Sequence, residues 1–346
     1  MKKKFMIFSL LFLTVIFTQT VQASAPKVGT AAGTELQIPM GARNVALGGS
    51  NVSSVSGTDA LYWNPAGLAL IQTAQASFTQ TSYFADMKVS YLAAGAKVGN
   101  LGVLGLSLQI LNIGDIKVTT IEVPEGTGEI IQPNYLTISG SFAKRFTDRI
   151  NFGTNFKVVS EKIGNMSATG MAFDFGLQYL SPWDISFGVS MKNIGSKMKF
   201  DGTGIEFDAD IPYVSPSGTT RKTALDLASN QLPASLSLGV GYQKKFGASQ
   251  QVNLTGAYSN NSFAIDQINV GAEYAFRNMI FARCGYAMSL LPSDYPENIE
   301  DETAFGITAG FGLHLPVGGT KLMFDYAYRP MLHFDANQYF SIGFAM

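Results

Sequence analysis

From about residue 75 to the last residue, large apolar residues alternate with small or polar ones in short segments, and this two-residue period constrains the fold more than any other feature. Met171, Phe173, Phe175, Leu177 and Tyr179 share one parity, with Ala172, Asp174, Gly176 and Gln178 on the other. Leu104, Leu106, Leu108 and Ile110 alternate in the same way with Gly105, Ser107 and Gln109, as do Leu236, Leu238, Val240 and Tyr242 with Ser237, Gly239 and Gly241. Successive side chains of a strand point to opposite faces, so each segment makes a strand with one apolar and one small, polar face. A soluble sandwich exposes Lys, Glu and Thr, whereas Gly, Ser, Ala and Asn suit the inside of a barrel whose outside meets lipid.

The pattern predicts about 14 strands, at 75–83, 88–97, 101–112, 134–145, 150–161, 169–180, 185–194, 234–244, 251–260, 266–276, 279–288, 303–315, 320–329 and 337–346. Tight connections near Gly99-Asn100, Thr147-Asp148, Pro182-Trp183, Arg277-Asn278 and Val317-Gly318-Gly319 separate longer loops at 113–133, 195–233 and 289–302. Outer-membrane barrels place short turns inside the cell envelope and long loops outside, and an even strand count puts both barrel ends on one side. The loop 195–233 is long enough to fold locally or over the mouth. Phe340, Ile342, Phe344 and Met346 carry an apolar row to the final residue, as a closing strand that pairs with the first requires. The fold class expected is all-β: a 14-stranded antiparallel transmembrane β-barrel with an N-terminal lumenal plug.

Lys2, Lys3 and Lys4 precede an apolar run from Phe5 to Phe17 and small residues at Ala23 and Ala25, the layout of a cleaved signal peptide. This divides the chain into a signal peptide at 1–25, a plug at 26–74 and a barrel at 75–346, exported to the cell outer membrane with its lipid as partner. No later stretch offers the roughly 18 consecutive apolar residues of a spanning helix.

With 14% charged residues and a net charge of −1, nothing marks a nucleic-acid surface. One cysteine, Cys284, and two histidines, His314 and His333, exclude a disulfide framework and argue against a metal centre. No G-x-S-x-G or HExxH pattern is present, so neither an enzyme nor a cofactor is expected. Cys284 falls on the lipid parity, as a small hydrophobe. Tyr83, Tyr91, Tyr179, Tyr242 and Tyr328, near strand ends, fit aromatic girdles.

The candidate plug motif comprises Gly41, Ala42, Arg43, Gly48, Gly49, Asp59, Trp63, Asn64, Pro65, Ala66 and Gly67. Gly48-Gly49 permits positive φ and close approach to a wall, and Pro65 opens a short helix that Asn64 can cap. Arg43 and Asp59, inside a barrel, each need a partner, either each other or wall charges. Lys157, Asp174, Lys192, Glu273, Arg283, Asp325 and Arg329 fall on the lumen parity, because a lipid-facing Lys or Arg costs roughly 2–4 kcal/mol at mid-membrane. These charges either fix the plug or form a polar track for cargo.

Gly41-Ala42-Arg43, Gly48-Gly49 and Asp59-Ala60-Leu61-Tyr62-Trp63-Asn64-Pro65-Ala66-Gly67 resemble the N-terminal signature of the PorV/PorQ family, a branch of the FadL-type outer-membrane barrels. The resemblance implies a 14-stranded barrel with a lumenal plug and, for some members, a part in type IX secretion. The resemblance favours an accessory of protein secretion or surface attachment, whose partners are secretion-system components and exported proteins; the alternative is a FadL-like transporter for hydrophobic small molecules.

Overall fold

The computed structural model describes residues 29–210, 220–290, 306–331 and 334–346. The expected signal peptide, the start of the strand placed at 303 and His333 lie outside these residues. Fourteen long strands are present: β1 (Ala74–Ser82), β2 (Lys88–Val98), β3 (Gly102–Asn112), β4 (Asn134–Arg145), β5 (Ile150–Ile163), β6 (Met166–Leu180), β7 (Ile185–Gly195), β8 (Ser235–Phe246), β9 (Gln250–Asn261), β10 (Asp266–Phe276), β11 (Ile280–Leu290), β12 (Ile307–Val317), β13 (Thr320–Arg329) and β14 (Asn337–Ala345). Each pairs antiparallel with its sequence neighbours, and β1 pairs with β14, Phe78 lying opposite Ile342, so the sheet closes on itself. Closure leaves no open ladder edge, the condition a sheet must meet in lipid.

Burial follows the pleat. On β6, Met171, Phe173, Phe175 and Leu177 face outward while Ala172, Asp174 and Gln178 are buried inside. Cys284 is exposed on the outside. The connections β2–β3, β4–β5, β6–β7, β8–β9, β10–β11 and β12–β13 are all tight and lie at one end of the barrel, the turn end. The other, the loop end, carries a small hairpin pairing Ile116–Lys117 with Ile130–Ile131. There the β7–β8 connection folds on itself: Asp201–Gly202 pairs with β6, Glu206–Asp210 pairs with Thr220–Ala224, and Met198 bridges Asn230. Strands β5 and β6 run past their expected ends, to Ile163 and from Met166, so they join through a tight turn even at the loop end.

The girdle assignment of Tyr83 and Tyr91 is wrong. Tyr91 is buried in the lumen, and Tyr83 packs against the same apolar cluster. Inward residues of β2 meet apolar plug residues such as Leu68 and Ile71, so both faces of this strand are apolar and hydrophobicity cannot tell them apart.

The segment before β1 fills the lumen as a series of short helical turns: Thr34–Gln37, Ala42–Ala46, Gly57–Asp59, Ala60–Trp63 and Pro65–Leu70. No turn is long enough to be stable alone. Met40, Val55, Leu61 and Leu68, all nearly unexposed, pack on Val89, Ala93 and Val103 of the wall. The wall yields space through inward glycines. A Cβ on Gly176 would overlap Asn64 Oδ1, one on Gly153 the Pro65 carbonyl, and one on Gly285 the Leu47 backbone.

Candidate functional site: the plug and the cavity beside it

Asn64 is the most heavily bonded residue of the plug. Its backbone is extended, its Oδ1 accepts from Ala66 N–H at 3.2 Å to cap the turn that Pro65 opens, and its Nδ2 donates to the Val52 carbonyl at 2.9 Å. The same Nδ2 reaches the Leu177 and Val189 carbonyls of the wall, each at 3.3 Å. Ala66 is fully buried, and a side chain on Gly67 would strike the Val55 carbonyl. Trp63 Nε1 donates to the Met40 carbonyl at 2.7 Å, and its ring lies against Gly49. Gly48 abuts the backbone of Tyr286, and Gly41, at φ 84, leads into the helix in which Ala42 N–H donates to Ser341 Oγ at 3.0 Å.

Arg43 and Asp59 do not pair directly with each other. Arg43 forms a bidentate bond to Glu273, Nε to Oε2 at 3.0 Å and Nη2 to Oε1 at 2.9 Å. Asp59 accepts from Asn44 Nδ2 at 2.8 Å, and Asn44 in turn accepts from Asn51, so a polar chain runs through the plug. Burial and the nearby Asp325 push the Asp59 carboxyl up to about 6, with Arg43 opposing. The wall continues the ionic chain: Arg283 donates to Glu273 and to Asp325, both at 2.6 Å, and His314 Nε2 lies 3.2 Å from Asp325. Arg43, Glu273, Arg283, Asp325 and His314 thus form one network toward the turn end.

Lys157 and Asp174 belong to a second group. Their ion pair is 2.7 Å long, Lys157 also donates to Asn193 Oδ1, and Asp174 Oδ1 accepts from Asn193 N–H at 2.8 Å. Asn193, at φ 59, sits where the β6–β7 register slips between Phe173 and Phe175. Lys192 beside it stands over the rings of Tyr62 and Trp63, 4.7 and 5.5 Å from their centroids.

Between the plug and the loop end lies a cavity of about 590 Å³. The plug contributes Ile38, Val45, Val52, Tyr62 and Trp63, and the wall Tyr83, Phe84, Met87, Leu111 and Tyr135. Glu35, Lys192, Asn193, Asn269, Arg329 and the hydroxyl pair Ser237–Ser259, 2.9 Å apart, are among the polar groups interspersed with this apolar surface. This size and mixture are typical of small-molecule sites. Of the residues singled out in the sequence, Gly48, Gly49, Trp63, Lys192 and Arg329 line the cavity; Ala42, Arg43, Asp59 and the Glu273 network do not. Sequence reading missed Tyr62, Phe84 and Met87. The signal available for Tyr62 was its place inside the plug motif, next to Trp63.

No protein-family profile and no curated protein sequence matches the chain. Solved structures do match in fold. The monoaromatic hydrocarbon channel CymD superposes with a TM-score of 0.56 at 13% identity, over 89% of this chain and 97% of that one. The Ralstonia pickettii toluene transporter TbuX gives 0.55 at 14% identity, over 89% and 98%. A Pseudomonas aeruginosa FadL homologue gives 0.53 at 11% identity, over 92% and 98%. The architecture is therefore a FadL-like barrel.

Proposed function

We propose that this protein is an outer-membrane channel that takes hydrophobic small molecules into the cavity between its plug and its loop end. The cavity carries the reading, and the fold shared with hydrocarbon channels supports it. An apolar molecule burying roughly 150 Å² gains about 4 kcal/mol, a millimolar affinity that retains a ligand briefly and still lets it leave. Past the plug the route is blocked by the Arg43–Glu273 network, whereas the irregular β6–β7 pairing lies next to Lys192 and Asn193 at the cavity. In this reading the ligand leaves through the wall at that irregular pairing rather than past the plug. Uptake of radiolabelled toluene by cells with and without the gene tests the proposal: loss of uptake on deletion is expected, together with a comparable loss in Ser259→Trp, which fills the cavity of a folded barrel. Unchanged uptake in the deletion strain removes the reading.

A second reading keeps the PorV/PorQ resemblance, in which the barrel assists protein secretion. The exposed Ile116, Ile121, Val123 and Ile130 on the β3–β4 loop favour it, as an apolar surface for exported proteins. Affinity purification from native outer membranes decides: recovery of neither a secretion component nor an exported protein sinks it.

A further inference from the structure

The loop-end start of the plug is fastened to the wall beside two buried carboxyl groups, those of Glu35 and Glu161. Glu35, in the turn Thr34–Gln37, is 1% exposed, and no donor among the described residues reaches either of its carboxyl oxygens. Glu161, on the inward row of β5 and 5% exposed, accepts from Gly33 N–H at 2.8 Å. Gln109 of β3 donates to the Glu35 carbonyl at 2.8 Å. One short stretch is thus tied to two wall strands, and Thr34, Glu35 and Leu36 form part of the cavity lining.

Two ionised carboxylates cannot lie together in so dry a place, because nothing screens their repulsion. A single proton reverses the sign: the protonated carboxyl donates its O–H to the ionised one. Among the described residues no Lys or Arg bonds to the Glu35 carboxyl; Lys192, which lines the same cavity, stands over the rings of Tyr62 and Trp63. Tyr135 stands opposite Glu161 on β4, Tyr62 donates its phenol to the Leu36 carbonyl, and Lys157, lower on β5, is bound to Asp174. Met198 and Leu232, from the β7–β8 connection, close the surroundings with apolar surface.

We propose that Glu35 keeps its proton inside the lumen, directs it at the neighbouring Glu161 carboxyl, and so acts as a latch that holds the first turn of the plug on the cavity wall and lets it go in alkaline medium. Burial and the facing Glu161 push the Glu35 carboxyl up to about 8. A carboxyl whose pKa is raised by folding stabilises the latched form fully below the ordinary carboxylate range and loses that contribution as pH rises through about 8. Release frees Thr34 to Leu36 and widens the cavity on its plug side. The effect on uptake rests on the channel reading; the latch itself does not, and is read on the plug alone.

Amide hydrogen exchange of residues 33–38, in full-length protein in detergent and corrected for the intrinsic pH dependence of exchange, tests the latch at pH 6 and pH 9. Wild type is expected to open on the order of a hundredfold more at pH 9 than at pH 6, because the latched carboxyl keeps its proton up to about 8 whereas the released one loses it in the ordinary carboxylate range. Glu161→Gln, whose amide donates to Glu35 without a proton and whose oxygen still accepts from Gly33, is expected to protect the segment equally at both pH values. Heat-modifiable gel migration verifies that the variant is folded, and the wild-type comparison stands without it. Equal protection of wild type at both pH values overturns the latch, as does an unchanged pH dependence in folded Glu161→Gln. Loss of protection on adding EDTA at pH 6 also overturns it, by assigning a divalent cation to the pair.

Discussion

The plug meets charge at one end of the lumen and rings and empty space at the other. Toward the turn end, Arg43 enters a chain of ion pairs through Glu273, Arg283 and Asp325. Toward the loop end, Tyr62 and Trp63 face a cavity, with Lys192 laid over their rings. Buried ion pairs repay their desolvation only when every partner is in place, so they fix position more than they add stability. Aromatic surface beside a void fixes little and accepts apolar molecules readily. One end of the plug is therefore an anchor, and the other is a surface that has to stay adaptable.

Removing the anchor is the strongest way to break this contrast. Glu273→Ala leaves Arg43 and Arg283 without their shared carboxylate, and a loss of about 3–5 kcal/mol is expected in denaturant unfolding of the detergent-solubilised barrel. Pore conductance across a planar bilayer should rise in the same variant; a loss below about 1 kcal/mol with unchanged conductance would show that the ion pairs are not the anchor. Gly176→Val pushes a side chain into Asn64 and should cost about 1–3 kcal/mol by the same measurement, with weaker heat-resistant migration on a gel. Replacing Asn64 and Pro65 with Ala removes a helix cap, for about 1 kcal/mol, and frees carbonyls of both plug and wall. A static cork loses only stability there, whereas a gate changes conductance in a barrel that remains folded. Lys192→Met probes the adaptable end with the least effect. Its lost ring contacts, about 0.5–2 kcal/mol, are offset by relief from holding a cation in a poorly hydrated site. Uptake of neutral toluene should stay within about twofold of wild type; a large fall would mean that the cation, not the rings, defines the site.

The barrel was readable because a strand writes its two faces into alternate residues. Parity alone separates Met171, Phe173 and Phe175 from Ala172, Asp174 and Gly176, and the structure has the first set outside and the second inside. Parity says nothing about partners. That Arg43 would meet Glu273, 230 positions away, depends on the way the plug folds back within the wall. It also fails where the plug is itself apolar, as Tyr91 demonstrates. The cavity was hidden for the same reason, since it is bounded by short irregular turns and by strands from both halves of the barrel, none with a distinctive pattern of its own. Glu161 was within reach, two and four places beyond Val159 and Lys157 on the inward row, but its significance rests on Glu35, which precedes the recognisable motif.

The pairing of β1 with β14 has a consequence for how the molecule is made. The plug precedes β1 in the chain, yet it touches the first strands through Leu68 and Ile71 and the last through Ala46 beside Ala327 and Tyr339. A ring sewn shut admits a segment of this bulk only through its mouths. The seam between first and last strands is therefore the stitch after which the plug can enter or leave only end-on.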